Sequence, residues 1–193
     1  MRIAVIGAGN VGGTIGEKWA AAGHHVAYGL RDPSRRPGAL SFDQALDGAE
    51  VVLLAVPGAA VAGFARDYAG ALDGRIVIDA TNHFGGPSFN ALRELAAALP
   101  SARLFRAFNT VAWEVFADPV VGDVQADLFY CGPDDPDGEV VERLIADVGL
   151  RPVRVGDTDQ ADTVDGVLRI VGSLMPRRGR RIALKLLADQ PDR

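Results

Sequence analysis

The chain has 193 residues, of which 48% are hydrophobic and 23% charged, and its formal net charge is −5 at pH 7. This composition is typical of a globular protein of one or two domains, and the negative balance argues against nucleic acid as a partner. One cysteine and three scattered histidines predict neither a disulfide nor a metal site, and the absence of a signal-peptide or membrane-span pattern predicts a cytoplasmic protein with no membrane partner.

The first predicted element is a buried strand at residues 2–6 that leads into a glycine-rich turn. Gly7, Gly9 and Gly12 follow the strand at the G-x-G-x-x-G spacing, and a helix is predicted to begin near Asn10. In that context the three glycines allow a tight turn, close approach of a pyrophosphate and close helix packing. The turn is therefore predicted to hold a dinucleotide through residues Gly7, Ala8, Gly9, Asn10, Val11 and Gly12.

The end of the second predicted strand, residues 25–28, indicates which dinucleotide is bound. Enzymes that use NAD usually carry an acidic residue here, but Leu30 stands at that position and Arg31 follows it. A guanidinium can clamp a 2′-phosphate, so NADP is favoured, with Arg35 and Arg36 either adding to the clamp or remaining solvated. If the strand ends later than predicted, Asp32 reaches the ribose and NAD is favoured instead.

The same alternation continues along the chain and predicts a doubly wound, mostly parallel α/β sheet of the Rossmann-like, NAD(P)-binding type. Further strands are predicted at residues 51–56, 75–79, 103–107, 127–131 and 151–155. The other helices are predicted to begin near Phe42, Gly58, Asn90, Val111 and Asp137. The domains are predicted to be an NADP-binding domain, residues 1–157, and a C-terminal segment, residues 158–193.

Polar and aromatic residues after the later strands are candidates for the ligand-binding edge of this sheet. The cofactor is expected to contact Ala55, Val56, Pro57 and Asn82, although an Asx turn is an equal alternative for Asn82. No catalytic residue is certain. The candidates are His83, Asn109 and Thr110, and the loop of residues 82–88 could close over the nicotinamide. Phe84 and Phe108 are candidates for an acceptor pocket or for plain packing.

The C-terminal segment is predicted to form a small helical cap that closes the site. Apolar residues recur at helical spacing and predict two helices, broken near Met175 and Pro176. The cap exposes enough apolar surface to predict a homodimer. The basic cluster of residues 177–181 either binds a phosphate and oligoglutamate tail or is simply solvated.

Several of these motifs together resemble the family of coenzyme F-420-dependent NADP oxidoreductases. They lie at residues 6–12, 29–31, 55–57, 77–82, 107–111 and 182–187. The resemblance implies an enzyme that passes hydride between NADP(H) and a deazaflavin, coenzyme F-420, as co-substrate. Leu30 replaces a small polar residue of the family pattern, which implies a weaker NADP preference.

Two alternatives remain open from the sequence. The first is a reductase of the same fold whose small-molecule hydride acceptor is a flavin, a metal complex, or a small imine or carbonyl compound. The second is a non-catalytic NADP-binding sensor. Hydride transfer between two rings needs no side-chain acid or base, so the lack of a catalytic triad or carboxylate pair is compatible with all three hypotheses.

Overall fold

The computed structural model describes residues 1–189, so the last four residues of the predicted C-terminal segment lie outside the described residues. The strands are β1 (Arg2–Ile6), β2 (His25–Gly29), β3 (Val51–Leu54), β4 (Ile76–Asp79), β5 (Arg103–Arg106), β6 (Val120–Val121), β7 (Val124–Gln125), β8 (Asp127–Cys131) and β9 (Arg151–Gly156). The helices are α1 (Asn10–Ala21), α2 (Phe42–Leu46), α3 (Val61–Asp67), α4 (Ala69–Leu72), α5 (Leu92–Ala98), α6 (Trp113–Ala117), α7 (Pro136–Asp147) and α8 (Ala161–Arg178).

Seven strands form one sheet in the order β2-β1-β3-β4-β5-β8-β9. Strands β1 to β5 are parallel, β8 pairs antiparallel with β5 through Arg106 and Cys131, and β9 runs parallel to β8. The doubly wound, mostly parallel fold predicted from the sequence is therefore confirmed. The small hairpin of β6 and β7 was not predicted, because two-residue strands are too short to show a periodicity.

The central strands are apolar throughout because both faces of the sheet are covered by helices. Every residue of β3 is buried, as are four of the five residues of β1. One face packs against Ile15 and Trp19 of α1, together with residues of α6 and α7. The other face packs against residues of α2, α3, α5 and α8. The carboxyl ends of β1 to β5 consequently meet at one edge, where ligands of open α/β sheets bind.

The prediction of two C-terminal helices is wrong in its second half. Helix α8 runs through Pro176 and ends at Gly179, whose φ of 81° suits a helix-terminating glycine. Residues 181–188 form neither a helix nor a strand. The apolar residues Ile182, Leu184 and Leu186 alternate, so the same spacing fits a strand-like segment as well as a helix.

Asp127 holds this segment against the sheet. The side chain of Asp127 is fully buried and accepts hydrogen bonds from Arg151, from Lys185 Nζ and from the backbone amide of Leu186. Burial alone would raise the pKa of this carboxyl, but the hydrogen bonds lower it below its usual value. The described part of the C-terminal segment therefore consists of one helix and a following strap without regular secondary structure.

The second half of α8 leaves apolar side chains uncovered. Ile170 is 53% exposed and Leu174 is 37% exposed. The homodimer suggested by the apolar residues of this segment stays a prediction. Among residues 1–189, no helix combines the length and apolarity needed to cross a membrane.

Candidate dinucleotide site

The glycine turn between β1 and α1 is shaped by close backbone contacts. A Cβ atom on Gly12 would lie 2.0 Å from the carbonyl oxygen of Gly7, and one on Gly7 would lie 2.5 Å from that of Ala55. Gly7 also has a φ of 99°, a value that residues other than glycine rarely adopt. Gly9 differs, because a Cβ there would meet no protein atom within 4 Å. Gly9 therefore leaves open space outside the protein, at the N-terminus of α1, where a pyrophosphate can approach.

This difference predicts opposite effects of alanine at two neighbouring glycines. Gly9→Ala is expected to change the free energy of unfolding by less than about 0.5 kcal/mol, yet to weaken NADP binding, since the methyl group fills the space next to the turn. Gly12→Ala is expected to destabilise the fold by about 3 kcal/mol because it clashes with backbone. Urea unfolding and NADP titration of both variants test this, and equal destabilisation of the two would contradict it.

A groove lies beside this turn, between the carboxyl ends of β2 and β3. It is lined by Gly7, Leu30, Arg31, Arg35, Phe42, Val56, Pro57, Phe64 and Tyr68, among others. Arg31 and Arg35 are exposed, and within residues 1–189 neither guanidinium forms an ion pair. The structure thus brings two cations to the place where the sequence predicts a 2′-phosphate.

Asp32 does not line this groove. Strand β2 ends at Gly29, and the carboxylate of Asp32 accepts hydrogen bonds from the amide and hydroxyl groups of Ser34, at 3.1 and 2.7 Å. These hydrogen bonds lower the pKa of Asp32. Asp32 caps the short 3-10 turn of Pro33–Arg35, so its carboxylate is engaged in a local structural role.

Arg36 is turned away toward α1. It forms an ion pair with Glu17 at 3.0 Å, and its guanidinium lies 4.2 Å from the centre of the Tyr28 ring. These contacts differ from both roles considered for Arg36 in the sequence, the phosphate clamp and the solvated charge. Arg31 and Arg35 therefore remain as the candidate phosphate ligands.

A buried ionic cluster lies at the carboxyl ends of β4 and β5. The guanidinium of Arg106, at the end of β5, is completely buried and contacts Asp165 of α8 through Nε at 2.9 Å and Nη2 at 2.7 Å. It also lies 3.3 Å from Asp79 and donates to the backbone oxygens of Asp79 and Thr81. With Asn82 as its fifth contact, the guanidinium has a partner for every N–H group. The cluster fastens α8 to the sheet.

The turn after β5 carries two of the candidate catalytic residues. Asn109 donates from Nδ2 to Asp165 Oδ1 at 2.9 Å, while its Oδ1 atom and the hydroxyl of Thr110 are buried without a hydrogen-bond partner in the described chain. Phe108 precedes them with a φ of 61°, an uncommon value for a residue other than glycine. Strained backbone and unpaired buried polar atoms are typical of functional sites.

The two aromatic candidates have different surroundings. Phe108 is 1% exposed and makes edge contacts with Trp19 and Phe116, so of the two alternatives it takes the packing role in the core. Phe84 is 72% exposed and touches Phe89. It lies in the loop that the sequence suggests could close over the nicotinamide.

His83 packs tightly at the base of that loop. A Cβ on Gly58 would lie 2.6 Å from the His83 Cβ, and one on Gly86 would lie 2.4 Å from its Nδ1 atom. The His83 amide also donates to the carbonyl oxygen of Phe89. Both glycines are therefore needed for the imidazole to fit beside the turn after β3.

Two of the four C-terminal arginines are used within the fold. Arg180 pairs with Glu114, and Arg181 pairs with Asp118 at 2.5 Å and also reaches the carbonyl oxygen of Val120. These contacts fix the start of the strap against α6. Only Arg177 and Arg178, at the end of α8, remain of the cluster considered for an anionic ligand.

Comparison with known proteins shows which family the first part of this chain resembles. Residues 2–83 match the family described as NADP oxidoreductase, coenzyme F-420-dependent. The resemblance inferred from the sequence motifs is thereby confirmed, and the matched residues include the glycine turn, the groove and the end of β4.

Similar proteins share the fold over most of this chain. A candidate F-420-dependent NADP-reductase from Arthrobacter sp. FB24 has a TM-score of 0.84 at 24% identity, covering 97% of this chain and 100% of its own. A reductive aminase from Aspergillus terreus, solved with NADPH4, cyclohexanone and allyl amine, has a TM-score of 0.67 at 20% identity, covering 90% of this chain and 60% of its own. The metalloreductase STEAP3 of Rattus norvegicus is 24% identical over 191 residues, covering 89% of this chain and 37% of its own length.

Sequence reasoning missed Arg106 and Asp165 as members of the site. They are 59 residues apart, and no local motif connects them. One signal was present, because a charged residue follows the apolar residues Leu104 and Phe105 at the end of the strand. A charged side chain that is fully buried needs a partner of opposite charge, which pattern alone does not identify.

Proposed function

We propose that the protein is an NADPH-dependent oxidoreductase and that a deazaflavin, coenzyme F-420, accepts the hydride. The observation that carries the cofactor assignment is the pair Arg31 and Arg35, two exposed cations on the groove beside the glycine turn that form no ion pair within residues 1–189. An unpaired guanidinium there favours a phosphorylated ribose over a free 2′-hydroxyl group. The Leu30 side chain lines the same groove and offers the nucleotide only an apolar contact.

The residues present fit the dinucleotide in three respects. The open space at Gly9 and the N-terminus of α1 suit the pyrophosphate, and the groove up to Pro57 suits the adenosine. The polar side chains after β4 and β5 lie further along the same edge of the sheet. When bound, NADPH supplies two electrons and a proton as hydride from its dihydronicotinamide ring and becomes NADP.

The polar groups near the ends of β4 and β5 favour an acceptor that takes hydride directly on a ring carbon. Asn82, Asn109 and Thr110 are neutral, and the charges of Arg106 and Asp165 are mutually engaged. Hydride addition to a deazaflavin ring leaves a delocalised anion that can take its proton from solvent, whereas reduction of an imine or carbonyl compound requires a proton donor at the nitrogen or oxygen that carries the charge. His83, which follows β4, packs against two glycines.

The proposal is tested by mixing purified protein, NADPH and oxidised F-420 without oxygen and following the absorbance of both compounds. We expect equimolar loss of NADPH and of the oxidised deazaflavin band. No change with micromolar protein would overturn the acceptor assignment. Turnover of free flavin, a ferric chelate or a cyclic imine instead would favour the alternative reductases. Tight NADPH binding without turnover of any acceptor would favour a sensor.

A further inference from the structure

The apolar surface of helix α8 is wider than the part that its own chain covers. Val164 and Val171 are fully buried against the rest of the chain. Val167, Ile170 and Leu174 form a second stripe, in which Val167 is half-buried, Ile170 is 53% exposed and Leu174 is 37% exposed. A surface helix normally buries its apolar face, so this second stripe is a surface that another molecule can cover.

The two ends of the stripe carry opposite charges. Asp162, in the first turn of α8, and Arg177, in the last turn, are both exposed, and neither forms an ion pair within residues 1–189. Asp162 accepts a hydrogen bond from Asn90 at 3.3 Å. Each charge suits the dipole at its own end of the helix, but the dipole does not account for the uncovered apolar residues between them.

The order of acid, apolar stripe and base is complementary to itself when it is reversed. Val167 and Leu174 each lie about one helical turn from Ile170, and Asp162 and Arg177 each lie about two turns from it. A twofold axis beside Ile170 would therefore bring Val167 opposite Leu174, and Asp162 opposite Arg177, of a second, antiparallel α8. A parallel pair would instead place like charges together.

Asp162 also lines a cavity of about 750 Å³ between α5 and the first half of α8. The exposed charged residues around this cavity are Arg93, Glu94, Asp159, Asp162 and Arg169. The carboxylates outnumber the guanidiniums, and the guanidinium of Arg169 lies 4.9 Å from the centre of the Phe89 ring. An arginine that arrives from a second copy therefore meets exposed carboxylates at this place.

We propose that α8 pairs with α8 of a second copy of this chain in an antiparallel arrangement, in which Arg177 of each copy binds Asp162 of the other. The apolar stripes of the two copies then form one seam, with Ile170 beside its counterpart at the centre. The partner's Arg177 stands at the mouth of the cavity, so each copy completes the cavity of the other. This inference depends neither on the cofactor nor on the hydride acceptor.

The experiment measures the molar mass in solution by analytical ultracentrifugation, at protein concentrations from about 1 to 100 µM, because an interface built on one helix is small and binds weakly. We expect the wild-type protein to dimerise within this range. Ile170→Lys should raise the dissociation constant of the dimer at least about tenfold, since the twofold axis places the two lysines side by side. The matched control is Leu187→Lys, which replaces an 85% exposed apolar residue outside α8 and should leave the dimer unchanged.

Charge reversal tests the register of the two helices. Asp162→Arg and Arg177→Asp each bring like charges together at both symmetric contacts, so each alone should raise the dissociation constant about tenfold or more. The two substitutions combined should restore the wild-type value. Within one α8 these residues are about 22 Å apart, so such a recovery requires that they meet between two copies.

The outcomes decide the proposal in each case. A wild-type protein that is monomeric at the highest concentration would overturn it. A dimer that persists in Ile170→Lys, or one that is lost in Leu187→Lys, would show that α8 is not the interface. Failure of the combined charge reversal to restore the dimer would overturn the antiparallel pairing. Each substituted side chain is exposed, so we expect every variant to fold, and circular dichroism checks this.

Discussion

Arg31→Ala is expected to weaken NADPH binding by roughly tenfold to a hundredfold and to leave NADH binding nearly unchanged. The guanidinium lines the groove beside the glycine turn without an ion-pair partner in the described chain, so it is available for a 2′-phosphate. Loss of one charge-assisted hydrogen-bonding group costs about 1.5–3 kcal/mol, which gives this range. Titration of both nucleotides against the variant measures the effect.

Arg36→Ala is the matched control for Arg31→Ala. It removes a guanidinium from the same loop, but this one already contacts Glu17 and Tyr28 and is turned toward α1. We expect the preference for NADPH over NADH to be preserved in this variant. An equal loss of affinity for both nucleotides in Arg31→Ala would show that the 2′-phosphate binds elsewhere. A larger loss of the preference for NADPH in Arg36→Ala would show the same.

Asp165→Ala is expected to lower the free energy of unfolding by about 3–5 kcal/mol. The substitution leaves the fully buried Arg106 with Asp79, at 3.3 Å, as its remaining carboxylate. It also leaves Nδ2 of Asn109 without its acceptor and leaves Nδ2 of Asn90 with Asp162, at 3.3 Å, as its remaining acceptor. Chemical denaturation monitored by circular dichroism gives the magnitude.

Two further variants identify the cause of that loss. Arg106→Met combined with Asp165→Leu removes the ion pair and leaves Asp79 with its hydrogen bonds from Thr81 and Ala91, so we expect it to recover part of the stability lost in Asp165→Ala. Asp157→Ala breaks the pair with Arg154, in which the Asp157 side chain is 70% exposed, and should cost less than about 1 kcal/mol. If the double variant is as unstable as Asp165→Ala alone, loss of packing rather than an unpaired charge is responsible.

The strands of the sheet were predictable because the residue pattern that specifies each strand lies within a short stretch of sequence. Strands buried on both faces read as continuous apolar runs, and the glycine turn carries its own spacing, so β1, β3 and α1 follow from short windows of sequence. The strap was not predictable in the same way. Its alternating apolar residues suit two periodicities, and the deciding contacts are with Asp127, which is about 58 residues distant.

The sequence was sufficient to select candidate residues for the site, but it did not predict the hydrogen bonds between them. Asn82, Asn109 and Thr110 stand at strand ends, where the fold places ligands, so their positions alone identify them. Which atom of each amide is hydrogen-bonded depends on Arg106 and Asp165, and those contacts exist only after the chain has folded. The direction of each hydrogen bond thus depends on tertiary contacts, even where the sequence alone points to the residue.

The left-handed backbone of Phe108 has a consequence for the affinity of the site. Its ring is held between Trp19 and Phe116, so the aromatic core maintains the turn in a conformation that an isolated peptide would rarely adopt. The conformational entropy of the turn is therefore lost when the protein folds and not when a ligand binds. A preorganised turn of this kind lets weak individual contacts contribute more fully to binding.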